Sequence, residues 1–279
     1  MCIRDRLNNM ETIEYLSSKK RKEIASETKE IFVPLAHRLG MASLKWRFED
    51  LALKCLDLRS YNSIKKKIEG SSKSNQKILE STIAPVKKEL DSYKIQSDIS
   101  GRYKSISSIN RKIQLRNKKF EEIYDLYAIR IVVDKIEECY LALGVIHSIY
   151  PPVQDRFKDF IATPKTNGYQ SIHTTVMTKD NRLTEVQIRT KEMDYTAEVG
   201  VAAHWLYKGN SEMDSFDEQV PWLRDLLAMM SSDNSDPEEL IELLKIDMFE
   251  DEIFIFTPKG DLIKLPVEST PLDFAFAIH

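Results

Sequence analysis

"SIHTTVMTKDNRLTEVQIRT", residues 171–190, contains the pattern that decides the fold of this chain. Two segments rich in β-branched residues, 171–178 and 184–190, flank the polar stretch KDNR, which predicts an antiparallel hairpin. Alternation along the second strand places its polar side chains on one face: Glu185, Gln187 and Arg189. A polar face on an internal hairpin is either exposed to solvent or lines a cleft.

The segments around the hairpin alternate between strand and helix patterns. Residues 123–134, IYDLYAIRIVVD, predict a strand, because they are rich in Ile, Val and Tyr and bounded by charges. Residues 137–150 and 191–208 have apolar side chains at helical spacing and predict helices. The alternation indicates an α/β or α+β domain built on a mixed sheet.

The chain begins with a helical pattern. Residues 11–68 carry apolar side chains at helical spacing, interrupted near Pro34 and again around Gly40. Residues 70–75, GSSKSN, predict a polar break, because Ser74 or Asn75 could cap the helix that follows. A helical segment should therefore precede the mixed sheet.

A second β pattern lies near the end of the chain. The sequence DEIFIFTPKGDLIKLP follows an acidic, serine-containing linker, and its two alternating strands flank Pro258-Lys259-Gly260-Asp261. Pro and Gly at these two positions specify a type II turn. The chain stops at His279 soon afterwards, so we expect this small β-containing unit to be truncated.

Composition excludes several classes of protein. The 279 residues suffice for about two domains, and 42% hydrophobic with 30% charged residues is an ordinary soluble composition. A formal net charge of −3 argues against a general binder of nucleic acid or membrane surfaces. The cysteines show no metal-ligand spacing, and the sequence has neither an apolar run of about 18 residues nor a signal peptide. We therefore expect a cytoplasmic protein without membrane association.

Residues 101–119, GRYKSISSINRKIQLRNKK, contain seven basic residues and no acidic one. A helix would place Lys104, Ser108 and Lys112 on one face, because they recur every four residues. Gly101 at the start of that helix would leave backbone N–H groups for an anion. The segment is therefore a candidate phosphate site, although a solvated basic helix or an RNA-facing patch explains the same pattern.

Two acids occupy prominent positions, Asp125 at the start of the predicted strand 125–133 and Glu185 early in its hairpin strand. Carboxylates from neighbouring strands among many cations are what a Mg²⁺–nucleotide site requires, and one of them can act as a general base. Asp125 and Arg130 have opposite parity along their strand, so both face the site only if a bulge or strand end intervenes. Taken singly, each acid is more often a surface residue.

Residues 156–175, RFKDFIATPKTNGYQSIHTT, crowd cations, amides and an aromatic ring into one loop. Its cations would supply positive charge for a transferring phosphoryl group: Arg156, Lys158 and Lys165. Tyr169 offers a ring face to a purine, and Asn167 could hydrogen-bond a base edge. The loop lacks the P-loop pattern, and His173 is a site-lining or core residue because no histidine spacing indicates zinc. Alone, this stretch is equally compatible with the surface of a hairpin.

Five stretches follow one another along nearly the whole chain: GRYKSISSINRK, IYDLYAIRIVVD, RFKDFIATPKTNGYQSIHTTV, EVQIRTKEMDYTAEVGVAAHW and DEIFIFTPKGDLIKLP with TPLDFAFAIH. Together they resemble the RelA/SpoT homologue family, the long bifunctional (p)ppGpp synthetase/hydrolases of bacteria. The resemblance implies an α+β fold with a nucleotidyltransferase-like mixed sheet flanked by helices. It also implies a GTP diphosphokinase of the stringent response, which transfers the β,γ-pyrophosphate of ATP to the 3′-hydroxyl of GTP or GDP.

The resemblance assigns the donor half of the site. Asp125 and Glu185 would hold Mg²⁺, and Glu185 would also activate the acceptor hydroxyl. Adenine would lie between Arg102 and Arg130. The ATP phosphates would contact a set of polar side chains: Lys104, Ser108, Lys112 and Lys158.

The same resemblance assigns the acceptor half. Tyr169 would stack on guanine, and the surrounding contacts to GDP or GTP would come from three further residues: Lys165, Asn167 and His173. Arg156 and Lys158 belong to the sequence RFKD, which looks like the basic variant of bifunctional members, and both would act in catalysis.

The resemblance divides the chain into four parts, in order: 1–57, the end of a hydrolase domain with connecting helices; 58–210, the synthetase domain; 211–247, a linker; and 248–279, the first half of a β-grasp-like TGS domain. Asp5 and Asn9 would be remnants of the hydrolase site. The other Mn²⁺ ligands of that site are missing, so we expect no hydrolase activity. The ribosome and uncharged tRNA would be partners only through later regions of a longer parent protein.

Two other functions fit parts of the sequence. A catalytically silent RNA- or ribosome-binding piece would use the basic helix and the last β unit, but it would not need two acids among its cations. Another polymerase-like nucleotidyltransferase would share the sheet, but the loop at 156–175 disfavours it.

Overall fold

The structure is a computed structural model that describes residues 3–116, 120, 127–165, 167–200, 252–257, 262–266 and 269–278. Its α-helices are α1 (Ile3–Glu11), α2 (Ser18–Glu27), α3 (Val33–Arg38), α4 (Ala42–Leu56), α5 (Leu58–Ser92), α6 (Ile106–Arg116), α7 (Ile136–Ile149), α8 (Lys191–Val199) and α9 (Pro271–Ile278). Its strands are β1 (Asp98–Tyr103), β2 (Tyr127–Val133), β3 (Lys158–Asp159), β4 (Ile172–Met177), β5 (Leu183–Thr190), β6 (Glu252–Phe256) and β7 (Leu262–Pro266). Short 3₁₀ turns lie at Ile13–Tyr15 and Gln154–Arg156, and a π-helical turn joins α2 to α3 at Thr28–Phe32.

A five-stranded sheet with the order β1-β2-β5-β4-β3 is the centre of the fold. Strands β2 and β5 run parallel, whereas the other neighbouring pairs are antiparallel, so the sheet is mixed. The predicted hairpin is the β4–β5 pair, and its turn contains Asn181 with a φ of 58°. The predicted α+β class, a mixed sheet flanked by helices after a helical segment, is confirmed.

One face of the sheet forms the main core. Alternate residues of β2 and β5 lie in it: Ile129, Ile131, Val133, Val186 and Ile188. Helices α5 and α7 cover this face with apolar side chains, among them the buried Leu90 and Ile146. Because the apolar residues occupy every second position of each strand, the polar residues between them lie on the opposite face.

Helices α1 to α4 share a second core, which includes Met10, Phe32, Ala36, Phe48 and Ala52. Helix α4 also contacts α8, which follows β5 and packs against the sheet. Through α4, the N-terminal helices therefore lie beside the polar face of the sheet.

Helix α5 continues through residues 70–75, so the predicted break is wrong. Ile64 packs against α6 on one side of this stretch, and Leu79 packs against the sheet core on the other. Because tertiary contacts hold both ends, the weak preference of Ser and Asn for a cap does not interrupt the helix.

Gly101 lies within β1, so its predicted place at a helix start is also wrong. A Cβ atom at this position would lie 2.8 Å from Cδ1 of Leu79, because α5 crosses the strand there. Gly101 therefore permits close helix–strand packing. The helix of the basic segment, α6, begins only at Ile106.

Helix α8 ends at Val199, earlier than the predicted residue 208. Gly200 follows with a φ of 90°, a conformation that glycine adopts without steric cost and that ends the helix. Residues 201–208 and the predicted linker at 211–247 lie outside the described residues.

Strands β6 and β7 form the predicted antiparallel hairpin, and α9 follows it. The predicted type II turn between the two strands, residues 258–261, lies outside the described residues. Within the described ranges given above, no helix combines the length and the apolar character that crossing a membrane requires.

Candidate active site

The polar face of the sheet carries two rows of side chains that cross the strands. The first row follows the strand register through five residues: Lys158, His173, Gln187, Arg130 and Ser100. The second row comprises Thr175, Glu185, Ala128 and Arg102. The register therefore brings the candidate carboxylate and the two candidate base-binding arginines onto one face, from three strands that are distant in sequence.

Glu185 is a partly buried carboxylate with cationic and polar neighbours. Its Oε2 lies 2.5 Å from Nζ of Lys104, and its Oε1 accepts a hydrogen bond of 2.8 Å from Nε2 of Gln187. His173 Nδ1 is 3.7 Å from the same Oε1. Burial by itself would raise the pKa of Glu185, but Lys104 together with His173 and Gln187 outweighs burial and lowers it to about 2. The carboxylate is therefore ionised at neutral pH.

Three rings form a cluster beside this carboxylate. Tyr169 and His173 hydrogen-bond through the hydroxyl and Nε2 at 2.8 Å, and their rings meet edge-to-face. Phe160 packs edge-to-face against both rings, and Nζ of Lys165 lies 4.9 Å from the centre of the Phe160 ring. Burial lowers the pKa of His173 to about 4, so this histidine is neutral at pH 7.

The two candidate adenine-binding arginines have defined partners. Arg102 places its guanidinium carbon 3.8 Å from the centre of the Trp46 ring. Arg130 forms ion pairs with Asp194 at 3.2 Å and with Glu198 at 3.1 Å. Burial, together with the charges of Arg130 and Arg189, lowers the pKa of Arg102 to about 10.

Asp194 also pairs with Arg189 at 2.5 Å, so one carboxylate of α8 joins two arginines of neighbouring strands. Arg189 is only 2% exposed, which makes it a buried charge that depends on this partner. The orientation of Arg130 is therefore tied to α8 through Asp194 and Glu198.

A cavity of about 500 Å³ lies next to these arginines. Helix α4 provides Ser43, Trp46 and Asp50, and the sheet with α8 provides Arg102, Arg130 and Glu198. A volume of this size suits a small ligand, and a wall of guanidinium groups with an indole suits a flat aromatic base.

Asn167 is engaged by the protein itself. Its Nδ2 donates a hydrogen bond of 3.0 Å to the backbone carbonyl of His37, and its Oδ1 accepts one of 3.2 Å from the backbone N–H of Tyr169. The loop that contains Asn167 is thereby attached to the carboxyl end of α3. In this conformation the side chain of Asn167 shapes the loop.

The remaining candidates lie around the polar face. Ser108 and Lys112 lie on α6, whereas Lys104 precedes this helix, so the predicted helical position of Lys104 is wrong. Arg156 and Lys158 are exposed, and Lys158 lies opposite His173 in the sheet. The register of β3, β4 and β5 thus places Lys158 on the same face of the sheet as Glu185.

Asp125 lies outside the described residues, so its predicted pairing with Glu185 stays a prediction. Asp5 and Asn9, the candidate hydrolase remnants, are exposed on α1. Among the residues with described positions, no group of three or more His, Cys, Asp or Glu side chains could hold a metal ion.

The sequence motifs did not identify four residues of this site: Trp46, Asp50, Asp194 and Glu198. Asp194 and Glu198 lie four residues apart on the helix that follows β5, and that spacing could have indicated a shared face. No pattern in the sequence connects Trp46 with Arg102, because the two residues meet only in the folded chain.

Comparison with known families matches three parts of the sequence. Residues 101–212 match the region found in RelA/SpoT proteins, residues 2–42 match an HD domain, and residues 253–279 match a TGS domain.

Curated relatives align over almost the whole chain. A GTP pyrophosphokinase of Myxococcus xanthus is 42% identical over 276 residues, which cover 99% of this chain and 36% of that protein. The bifunctional (p)ppGpp synthase/hydrolase RelA of Mycobacterium tuberculosis is 42% identical over 289 residues, covering 99% of this chain and 38% of that protein. The chain therefore spans little more than a third of the length of either relative.

Among solved structures, the small alarmone synthetase 1 of Bacillus subtilis bound to its product pppGpp matches with 20% identity and a TM-score of 0.38. The match covers 60% of this chain and 99% of that one.

Proposed function

The chain belongs to the RelA/SpoT family, and on this premise we propose that it transfers the β,γ-pyrophosphate of ATP to the 3′-hydroxyl of GTP or GDP. One observation carries the proposal. Glu185 is an ionised carboxylate on a sheet face that also presents Lys104, Arg102 and Arg130. A carboxylate among cations suits a reaction that must bind polyphosphate and remove a proton from a hydroxyl.

The acceptor 3′-oxygen attacks the β-phosphorus of ATP, and the bond from that phosphorus to the oxygen bridging the α-phosphate breaks. AMP leaves, and the proton of the hydroxyl passes to Glu185. Asp125 and Glu185 would hold Mg²⁺, an ion that takes one or two carboxylates beside phosphate oxygens and neutralises their charge when bound.

Lys104 connects the two roles of Glu185. A carboxylate with a pKa of about 2 is a weak base, and Lys104 is the charge that lowers this pKa most. Binding of ATP would draw the ammonium of Lys104 towards the phosphates, and the basicity of Glu185 would then rise. Donor binding would in this way prepare the base for the acceptor hydroxyl.

The other residues position the two nucleotides. Arg102 and Arg130 border the cavity and would hold adenine. The phosphates would contact cations and a hydroxyl near it: Lys104, Ser108, Lys112, Arg156 and Lys158. Guanine would stack on Tyr169, with contacts from three neighbours of that ring: Lys165, Asn167 and His173.

The test is to incubate the chain with ATP, GDP and Mg²⁺ and to measure AMP together with guanosine tetraphosphate. Glu185→Gln should leave nucleotide binding measurable and lower turnover by at least about 10²-fold, the lower range for a general base. The matched control is Glu192→Gln, which changes an exposed carboxylate of α8 and should leave turnover unchanged. Wild-type turnover in Glu185→Gln would contradict the role of Glu185.

Three accompanying expectations stay predictions. Hydrolysis of (p)ppGpp should be absent from this chain, which can be measured as pyrophosphate release from ppGpp with Mn²⁺. The ribosome and uncharged tRNA would be partners only of a longer parent protein. The location would be the cytoplasm.

A further inference from the structure

We propose that Trp46 positions Arg102 for the donor base, so that helix α4 sets the affinity for ATP from outside the sheet. The proposal rests on the proposed function and names residues that the motifs of the chain do not contain.

One face of α4 meets three elements of the donor half. Ser43, Trp46 and Asp50 lie three and four residues apart and therefore share a face of the helix. The hydroxyl of Ser43 donates a hydrogen bond of 3.3 Å to the backbone carbonyl of Glu198, the residue that pairs with Arg130. Trp46 contacts Arg102 of β1, and Asp50 contacts the first turn of α6.

Trp46 covers one face of the Arg102 guanidinium at 3.8 Å. A guanidinium is planar, so an indole against one face leaves the other face for a base. Both residues line the cavity that Arg130 also borders. The indole thereby restricts the rotamers of Arg102 before ATP arrives, and this lowers the entropy lost on binding.

Asp50 fixes the helix that carries the candidate phosphate ligands. Its carboxylate accepts hydrogen bonds from the backbone N–H groups of Ser107 at 2.7 Å and Ile106 at 3.4 Å, in the first turn of α6. Ser108 and Lys112 follow on the same helix. A side chain of α4 therefore occupies the amino end of α6, so side chains of α6 and not its backbone end remain for phosphate.

The acceptor half is attached elsewhere. Asn167 bonds the carbonyl of His37 on α3, and the ring cluster around Tyr169 packs on β4. A change at Trp46 should consequently affect the donor and spare the acceptor. This separation is the readout that a general loss of structure would not produce.

The experiment compares Michaelis constants for ATP and GDP in the 279-residue chain. Trp46→Leu should raise KM for ATP about 3- to 30-fold, the range expected when a cation–π contact is lost, with KM for GDP unchanged. Trp46→Phe retains a ring face and should stay within about threefold of wild type. Asp50→Ala, which removes the cap of α6, should also raise KM for ATP about 2- to 30-fold.

The matched control is Lys54→Ala, on the same helix. Lys54 pairs with Glu14 at 2.6 Å, one turn beyond Asp50, and it is not among the residues that line the cavity. Lys54→Ala should leave the Michaelis constants for ATP and GDP unchanged. If Trp46→Leu does not fold, as judged by thermal melting, Trp46→Met repeats the test with another side chain that lacks a ring.

Calorimetry with a non-hydrolysable ATP analogue separates this proposal from the proposed function, because it needs no transfer. Weaker analogue binding by Trp46→Leu and not by Lys54→Ala supports the role of Trp46, even if the wild-type chain makes no tetraphosphate. Equal rises in KM for ATP and GDP, or equal effects of Leu and Phe, would overturn it. Tighter ATP binding by Trp46→Leu would also overturn it and would mean that the indole occupies the place of the base.

Discussion

The ammonium of Lys104 lies 2.5 Å from Oε2 of Glu185, and both side chains are less than one-fifth exposed. Lys104 precedes the basic helix α6, whereas Glu185 belongs to β5 in the centre of the sheet. The ion pair therefore joins a candidate phosphate ligand directly to the candidate base. Loss of Lys104 should affect both ATP binding and the protonation of Glu185.

The first prediction concerns Lys104→Met. Burial, which favours the protonated form of Glu185, would then lack its strongest opposing charge, so the pKa of Glu185 should rise from about 2. The acidic limb of the pH profile of kcat/KM for ATP, which reports the free enzyme in which Lys104 pairs with Glu185, should move to higher pH, and KM for ATP should increase. Lys158→Met should raise KM for ATP without moving the acidic limb. An unmoved limb in Lys104→Met would show that Lys104 does not control this carboxylate.

The second prediction is a dependence of stability on pH through His173. Burial lowers the pKa of His173 from 6.5 to about 4, so between these values the unfolded chain binds a proton that the folded chain does not. The contribution of His173 to the free energy of unfolding is therefore fully present above pH 6.5. It is lost as the pH decreases towards about 4, which lowers the free energy of unfolding by on the order of 3 kcal/mol.

His173→Gln should reduce this slope, measured by urea unfolding at several pH values. Burial also lowers the pKa of His147, so His147→Gln is the comparison that separates the two contributions. The same slope in wild type and His173→Gln would contradict the assignment.

The third prediction concerns Tyr169. Stacking on guanine uses the face of the ring, so Tyr169→Phe should preserve the affinity for the acceptor. Tyr169→Ala should lose about 1–3 kcal/mol, seen as an increase in KM for GDP. Phe also loses the hydrogen bond to Nε2 of His173, so any residual effect of Phe measures that contact. Equal KM for GDP in Ala and wild type would remove Tyr169 from the acceptor site.

The fourth prediction tests the packing of α5 on β1. Gly101→Ala places a Cβ 2.8 Å from Cδ1 of Leu79, so the Leu79 side chain must shift, and the change should destabilise the chain by about 1 kcal/mol, the low end of the cost of overpacking. The control is Gly144→Ala on α7, where a Cβ meets no described atom within 4 Å apart from its chain neighbours and the backbone of its own helix. That change should stabilise the chain by about 0.5–1 kcal/mol, because alanine favours helix. Thermal melting of both variants measures these changes in stability. A Gly101→Ala variant as stable as wild type would contradict the close approach of Leu79 to β1.

The sequence by itself determined the elements whose signal is local. Alternation between 184 and 190 predicted β5 and the face of Glu185, and the structure confirms both. The hairpin β4–β5, the helix α7 and the hairpin β6–β7 were also predicted, because side-chain period and turn residues lie within a few positions of one another. The family resemblance implied that Lys104 and Glu185 belong to one site, and the two side chains form an ion pair.

Only the tertiary structure decided the contacts between distant segments. Local polarity predicted a break at 70–75, but packing at Ile64 and Leu79 holds α5 continuous. Likewise, Trp46 meets Arg102, and Asn167 bonds the carbonyl of His37, across long stretches of chain. Periodicity reports which face of an element is apolar, but the partner of that face is set by how whole helices pack on the sheet. That packing joins the N-terminal helices to both halves of the candidate site.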